Sequence, residues 1–167
     1  MKLSFFKIAF PLLFISFFAI GCKKKSNENE KPLDTSVSIY LVTNMDSSNP
    51  GIDVGCGDML VEVKEDAVVE RSLLEAAIGK LLEIKSENNL RNYIKGPGLL
   101  LYQVTIARGI ADVYLKGDFN ISELCDLDRI EKQLKETAKL YPRINQTNFY
   151  INDQTLDQYL SIQRKSF

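Results

Sequence analysis

The fold of this chain is decided by residues 104–115, VTIARGIADVYL. Two runs of strand-forming residues, Leu99–Ala107 and Ile110–Leu115, are separated only by Arg108-Gly109, and a two-residue connection that ends in glycine is typical of a tight β-hairpin. In the return strand every second residue is small or apolar, and these residues are Ala111, Val113 and Leu115. The stretch therefore predicts a sheet with one buried face.

Three further strands flank the hairpin. A first strand is predicted at Val37–Val42, where the side chains alternate with a period of two, and a short second strand at Met59–Lys64. The last strand is predicted at Thr147–Ile151, before a turn and a short C-terminal segment. Residues 43–57 are rich in turn formers and predict a long loop, which is our first choice for an edge that binds a partner.

Two amphipathic helices separate these strands. Asp66 is the predicted N-cap of the first, which runs from about Ala67 to Lys85 with a broad apolar stripe. The second covers Leu124–Tyr141 and ends at Pro142, and its charged face, which includes Arg129, is predicted to be solvated surface. The order β-β-α-β-β-α-β describes an α+β fold, a single two-layer domain with two helices on one face of a small mixed or antiparallel sheet.

The order of elements and several local strings resemble the GerMN domain, a module named after a spore germination and sporulation protein and found in exported bacterial proteins and lipoproteins. The similar strings are Val37–Val42, Met59–Lys64, the hairpin at 104–115 and the closing Phe149–Leu156. The resemblance implies a fold akin to the ring-building motifs of envelope assemblies and a non-catalytic interaction role at the cell envelope. Because a fold alone does not fix a function, this implication is an analogy.

The N-terminus resembles the export signal of a bacterial lipoprotein. Lys2 and Lys7 precede an apolar run, Ile8–Ile20, that is too short to span a bilayer, which takes roughly 20 apolar residues. We therefore predict a cleaved signal peptide at residues 1–21. The residues before Cys22 resemble a lipobox, so Cys22 would be the lipidated N-terminus that anchors the protein to a membrane. An uncleaved anchor or an ordinary signal peptide is the alternative.

Composition divides the mature chain into a stalk and one domain. Residues 22–35 hold the lipidated cysteine and a polar stretch, so we expect a flexible stalk there and a domain at 36–167. Without Lys2 and Lys7, 19 of the 21 basic residues remain against 22 acidic ones, which gives a net charge of −3. This balance argues against a nucleic-acid partner, since proteins that bind nucleic acids carry basic patches.

The chain contains no histidine. This excludes Ser–His and Cys–His catalysis and makes a zinc site unexpected, because histidine is the commonest general base and a frequent zinc ligand. A carboxylate pair such as Asp112 with Asp118 would suit a glycosidase, but no local pattern supports one. We therefore expect no catalytic residue, no metal and no cofactor.

Cys56 and Cys125 are the two thiols that remain after lipidation of Cys22. In an oxidising compartment they could form a disulfide, which would stabilise the fold by roughly 4 kcal/mol in the chain-entropy model. Two separate thiols are an equal alternative, since the sequence does not show whether their Cα atoms approach within about 7 Å.

Two further groups of residues suggest binding chemistry. The long loop and the residue after it carry four side chains with oxygen donors that could bind calcium: Asp46, Asn49, Asp53 and Asp58. Their spacing is not that of an EF-hand, so we favour a solvated loop without calcium. Four tyrosines in or beside the strands could form an aromatic strip that stacks on sugar rings, or could pack on the sheet; they are Tyr40, Tyr102, Tyr114 and Tyr150.

These observations favour an exported, lipid-anchored protein of the cell envelope whose domain binds a protein partner or a cell-wall polymer without turning it over. A peptidoglycan-acting enzyme or enzyme accessory is the first alternative. A structural subunit of an envelope ring is the second.

Overall fold

The computed structural model describes residues 33–45 and 50–167. The predicted signal peptide at 1–21, Cys22 and most of the stalk lie outside the described residues, as do Asp46 and Asn49 of the loop. The first strand begins at Leu33, three residues before the predicted start of the domain, because Leu33–Thr35 pair with Ala67–Val69. In the described part of the chain no helix is long and apolar enough to cross a bilayer.

The described chain has an α+β fold, as predicted. Its elements are β1 (Leu33–Asn44), β2 (Ile52–Gly55), β3 (Asp58–Val69), α1 (Leu73–Glu83), β4 (Leu100–Ala107), β5 (Ile110–Lys116), α2 (Leu124–Lys139), β6 (Gln146–Ile151), β7 (Gln154–Thr155) and α3 (Leu156–Arg164). The predicted order is contained in this one, and β2, β7 and α3 are additions. β2 lies within the stretch that the sequence predicts to be a loop, and its carbonyl and amide groups pair with the start of β3.

The strands form two sheets instead of the single sheet that we expected. One is antiparallel with the order β1-β3-β2, and the other has the order β4-β5-β6-β7, in which β5 and β6 are parallel. No further described strand is added to the first sheet beyond β1. Side chains of α2 bond to the backbone there: the Thr137 hydroxyl accepts from the Tyr40 N–H at 3.0 Å, and Gln133 Nε2 donates to the Tyr40 carbonyl at 2.8 Å. The neighbouring Val42 forms an isolated antiparallel bridge with Arg91.

Helix α1 begins later than predicted. The proposed N-cap Asp66 lies inside β3, opposite Ser36, and the chain stays extended through Val69. Ser72 is the N-cap instead, and its hydroxyl accepts a hydrogen bond from the Glu75 N–H at 3.1 Å. Asp66 and Ser72 are both residue types that favour a helix N-cap. Ser72 takes this position because the pairing of β3 with β1 keeps Asp66 in the sheet.

The hydrophobic core contains residues from both sheets and from all three helices. Its fully buried members include Ile39 of β1, Ile78 of α1, Leu115 of β5, Leu134 of α2 and Ile151 of β6. Tyr159 and Leu160 of α3 also belong to it, which explains why the C-terminal segment is a helix. Thr155 and Gln158 form a capping box at the start of that helix.

The predicted hairpin is confirmed. β4 and β5 pair in antiparallel fashion from Leu100 opposite Lys116 to Ala107 opposite Ile110. Arg108 and Gly109 both have positive φ angles, 53° and 78°, as the favoured two-residue turns require at both positions.

Candidate binding face

The four-stranded sheet has one face in the core and one face that no described helix covers. In β5 the residues Ala111, Val113 and Leu115 are buried, whereas Asp112 and Tyr114 alternate with them on the other side. We call this second side the outer face. Its side chains on β4, β5 and β6 are half-buried or exposed. They include Gln103, Thr105, Ile110, Asp112, Tyr114, Lys116, Gln146, Asn148 and Tyr150.

The parallel pairing of β5 with β6 places polar and aromatic side chains in rows across the outer face. Asn148 lies beside Asp112, and its Nδ2 donates to Asp112 Oδ1 at 2.7 Å. Gln146 Nε2 in turn donates to Asn148 Oδ1 at 2.9 Å. These three residues form the polar row. Among the described residues none donates to the second carboxylate oxygen of Asp112, so that oxygen can accept from a ligand.

Two tyrosines adjoin the polar row. The rings of Tyr114 and Tyr150 stack with their centroids 4.8 Å apart and their planes 12° apart, which is about the spacing of neighbouring strands. The rings therefore stand on the sheet side by side. Partial desolvation, followed by the negative charge of Asp112, raises the pKa of Tyr114. Like any tyrosine hydroxyl, that of Tyr114 is protonated at neutral pH and can donate a hydrogen bond.

A third tyrosine extends this aromatic surface toward the edge strand. Tyr102 occupies a β-bulge, because Leu101 pairs with Leu115 and Gln103 with Tyr114, which leaves Tyr102 without an opposite residue. It is 60% exposed, and the Lys116 ammonium lies 3.8 Å from its ring centroid. A cation–π contact of this kind holds the ring in place on the surface.

Three of the four tyrosines that the sequence groups together thus share the outer face. Tyr40 does not, since it lies on β1 in the other sheet, where its backbone bonds to α2. Whether the three rings contact sugars stays a prediction. Nothing in the sequence indicates that Asn148 and Gln146 lie beside these tyrosines. Their position depends on the register between β5 and β6, and these two strands are separated in the chain by α2.

The structure joins Cys56 and Cys125 in a disulfide. Their Cα atoms are 6.3 Å apart and the S–S distance is 2.00 Å. Cys56 lies in the turn between β2 and β3 with a positive φ of 55°, and Cys125 lies in the first turn of α2. The bond therefore connects the first sheet to the beginning of the second helix.

A buried ion cluster lies near this disulfide. Asp58, 3% exposed, accepts from Arg129 Nε at 2.6 Å and also from Arg91. Arg129 further donates to Asp126 at 2.8 Å and to Glu123. Burial lowers the pKa of Arg129, but its hydrogen bonds to these carboxylates outweigh that effect and raise the pKa above its usual value.

The prediction that Arg129 belongs to a solvated face is therefore wrong. One side of α2 and of the turn after it carries a stripe of polar residues at intervals of four. Each side chain of this stripe bonds to a residue of another element. The four residues are Arg129, Gln133, Thr137 and Tyr141. Gln133 and Thr137 are completely buried. The signal that could have revealed this stripe is the presence of uncharged Gln133 and Thr137 in register with an arginine.

The residues considered as calcium ligands, for which the sequence favours a solvated loop, have other roles where the structure describes them. Asp53 Oδ1 accepts from the Gly55 N–H at 2.8 Å in a local turn, and Asp58 belongs to the ion cluster. Across residues 33–45 and 50–167, no group of three or more acidic or cysteine side chains could hold a metal. Asp118, once paired with Asp112 as a candidate, accepts from the Tyr159 hydroxyl at 3.3 Å.

Comparison of the chain with protein-family models, with curated proteins and with solved structures finds no match. The resemblance to the GerMN domain therefore stays a prediction that rests on the residues quoted for it.

Proposed function

We propose that this protein is a lipid-anchored binding domain of the cell envelope and that its outer face binds a cell-wall polymer without turning it over. The single observation that carries the proposal is the polar row of Asp112, Asn148 and Gln146 beside the stacked pair Tyr114 and Tyr150, on a sheet face that no described helix covers.

The chemistry of this face suits a polymer rich in hydroxyl and amide groups. The carboxylate of Asp112 accepts from hydroxyls, and the amides of Asn148 and Gln146 both donate and accept. Tyrosine rings supply apolar contact area and hydroxyl ends that stay hydrogen-bonded in a wet interface. All these groups lie on β5 and β6 in the middle of a sheet, so they are held in place before a ligand arrives.

The location is supported by the N-terminal sequence. A signal peptide at 1–21 with Cys22 as the lipidated residue would attach the chain to a membrane, and two or more acyl chains suffice for stable attachment. Labelling with a radioactive fatty acid tests this part: incorporation should occur in the natural chain and vanish in Cys22→Ala. Labelling that persists in Cys22→Ala would refute it.

Binding to the wall can be tested by sedimentation with purified, insoluble peptidoglycan. The natural protein should pellet with the wall, and Asn148→Ala should weaken binding about fivefold, since one hydrogen bond is worth roughly 1 kcal/mol. Tyr114→Ala should weaken it as well. Glu70→Ala, an exposed change beyond the end of β3, is the matched control and should bind normally.

The same incubation distinguishes the alternatives. If soluble wall fragments are released, the protein is an enzyme and the proposal is wrong. If neither binding nor release occurs, the outer face does not serve the wall, and a protein partner becomes the better hypothesis.

A further inference from the structure

The described sheets have several edges, and most of them are covered, short or charged. Side chains of α2 bond to the outer edge of β1, β2 has four residues, and β7 has two and leads directly into α3. Beyond Leu60 no described strand pairs with the second edge of β3, but this segment carries the exposed charges Glu62, Lys64 and Asp66. Charged side chains are a common protection of a strand edge against pairing with another chain.

Strand β4 lacks this protection. Its eight residues, LLYQVTIA, include no charged residue and no proline, and no described strand pairs with its outer edge. Three of its apolar side chains are largely exposed: Leu100 at 48%, Tyr102 at 60% and Ile106 at 44%. An exposed, uncharged strand edge of this length offers a row of backbone donors and acceptors to an added strand.

We propose that β4 pairs in antiparallel fashion with β4 of a second copy of this chain, about a two-fold axis that passes through Thr105. In this register Val104 faces the partner's Ile106, and Gln103 faces the partner's Ala107. Val104 and Ile106 both lie on the core side of the sheet, whereas Gln103, Thr105 and Ala107 lie on the outer face, so each pair keeps its members on one side.

The bulge at Tyr102 selects this axis. A two-fold axis at Val104 would set Tyr102 opposite the partner's Ile106, although these side chains lie on opposite faces of the sheet. An axis at Ile106 would pair fewer residues before the hairpin turn. Thr105 is therefore the centre that allows five residues of β4 to pair with their faces matched.

A second copy suits this edge because self-pairing places identical residues against each other at the axis. A charged residue there would repel its own copy, whereas two threonines make a favourable cross-strand pair. The contact is small, and attachment of both copies to one membrane would favour it by raising their effective concentration. The two outer faces would then form one surface, but the pairing does not depend on what that surface binds.

Cross-linking of the full-length protein in its native membrane tests the proposal. Across an antiparallel pair the Cα atoms are about 4.5 to 5.5 Å apart, which is within disulfide range. Thr105→Cys should give a disulfide-linked dimer after mild oxidation. Val68→Cys is the matched control: it is 53% exposed on the charged open segment of β3, and it should stay monomeric. Equal cross-linking of both variants, or none in Thr105→Cys, would overturn the proposal.

A charge-exchange experiment separates self-pairing from misfolding and from another partner. Two differently tagged copies of the natural protein should co-purify, and Thr105→Lys in both copies should reduce this more than about tenfold. Combining Thr105→Lys in one copy with Thr105→Glu in the other should restore it. Co-purification of two copies that both carry Thr105→Lys would contradict self-pairing. So would a failure of the lysine and glutamate variants to co-purify, provided that an intact Cys56–Cys125 disulfide shows that each variant is folded. Trapping of a different protein by Thr105→Cys would do the same.

Discussion

Arg129 of α2 donates from Nε to Oδ2 of Asp58, at 2.6 Å, and so joins the beginning of β3 to a helix that starts 66 residues later. Asp58 is 3% exposed and Arg129 is 7% exposed. Together with the disulfide between Cys56 and Cys125, this pair fixes the first sheet against α2. The ion cluster and the disulfide therefore both hold the first sheet against the beginning of α2.

Replacing Asp58 by alanine should destabilise the protein strongly. Arg129 would keep a buried charge with fewer partners, and breaking a buried pair typically costs about 3–5 kcal/mol. Urea denaturation of the oxidised protein measures this loss. The exposed pair of Arg71 with Glu75 provides the control, because Arg71→Ala should cost less than about 1 kcal/mol. Similar losses in both variants would contradict a special role for Asp58.

Removal of the disulfide should lower the free energy of unfolding by about 4 kcal/mol, since the bond closes a loop between residues 69 positions apart. The double variant Cys56→Ser with Cys125→Ser should melt at a lower temperature than the natural protein. A reductant should lower the melting temperature of the natural protein toward that of the variant and leave the variant unchanged. If the reductant has no effect on the natural protein, the cysteines are not paired.

The Thr137 hydroxyl should matter beyond its size, because it accepts from the Tyr40 N–H on the outer edge of β1. Thr137→Val keeps the shape of the side chain and leaves that N–H without its acceptor, at a cost of about 1–3 kcal/mol. Thermal unfolding compares it with Lys139→Ala, an exposed change on the same helix. A Thr137→Val variant as stable as the natural protein would show that the edge is covered in another way.

Tyr141 should make the stability of the protein sensitive to alkali. Burial raises the pKa of Tyr141 to about 12, and its hydroxyl donates to the Ser38 carbonyl at 2.8 Å. The folded state thus favours the protonated phenol. Its stabilisation is complete below the usual tyrosine pKa of about 10 and is lost as the pH rises from there toward 12. Denaturation midpoints should fall more steeply over this window in the natural protein than in Tyr141→Phe. Parallel profiles would contradict this.

Local patterns account for what could be predicted from the sequence. The hairpin around Arg108 and Gly109 and the amphipathic second helix depend on neighbours in the chain, and both are present. The partner of Arg129 could not be predicted, since Asp58 lies 71 residues away. Nor could the polar row, because Asn148 and Asp112 meet only through the parallel register of β5 and β6. The division into two sheets could not be predicted either, because the side-chain bonds from α2 to Tyr40 of β1 join residues more than 90 positions apart.

The most direct test of the central claim is hydroxyl-radical footprinting of the full-length protein with and without soluble peptidoglycan fragments. We expect the fragments to protect Tyr102, Tyr114 and Tyr150 from oxidation. The exposed Met45 and Phe167, which lie outside the outer face, should be oxidised equally in both samples. Protection of the three tyrosines with unchanged Met45 and Phe167 is the predicted result. Unchanged oxidation of all three tyrosines at saturating fragment would contradict wall binding through the outer face.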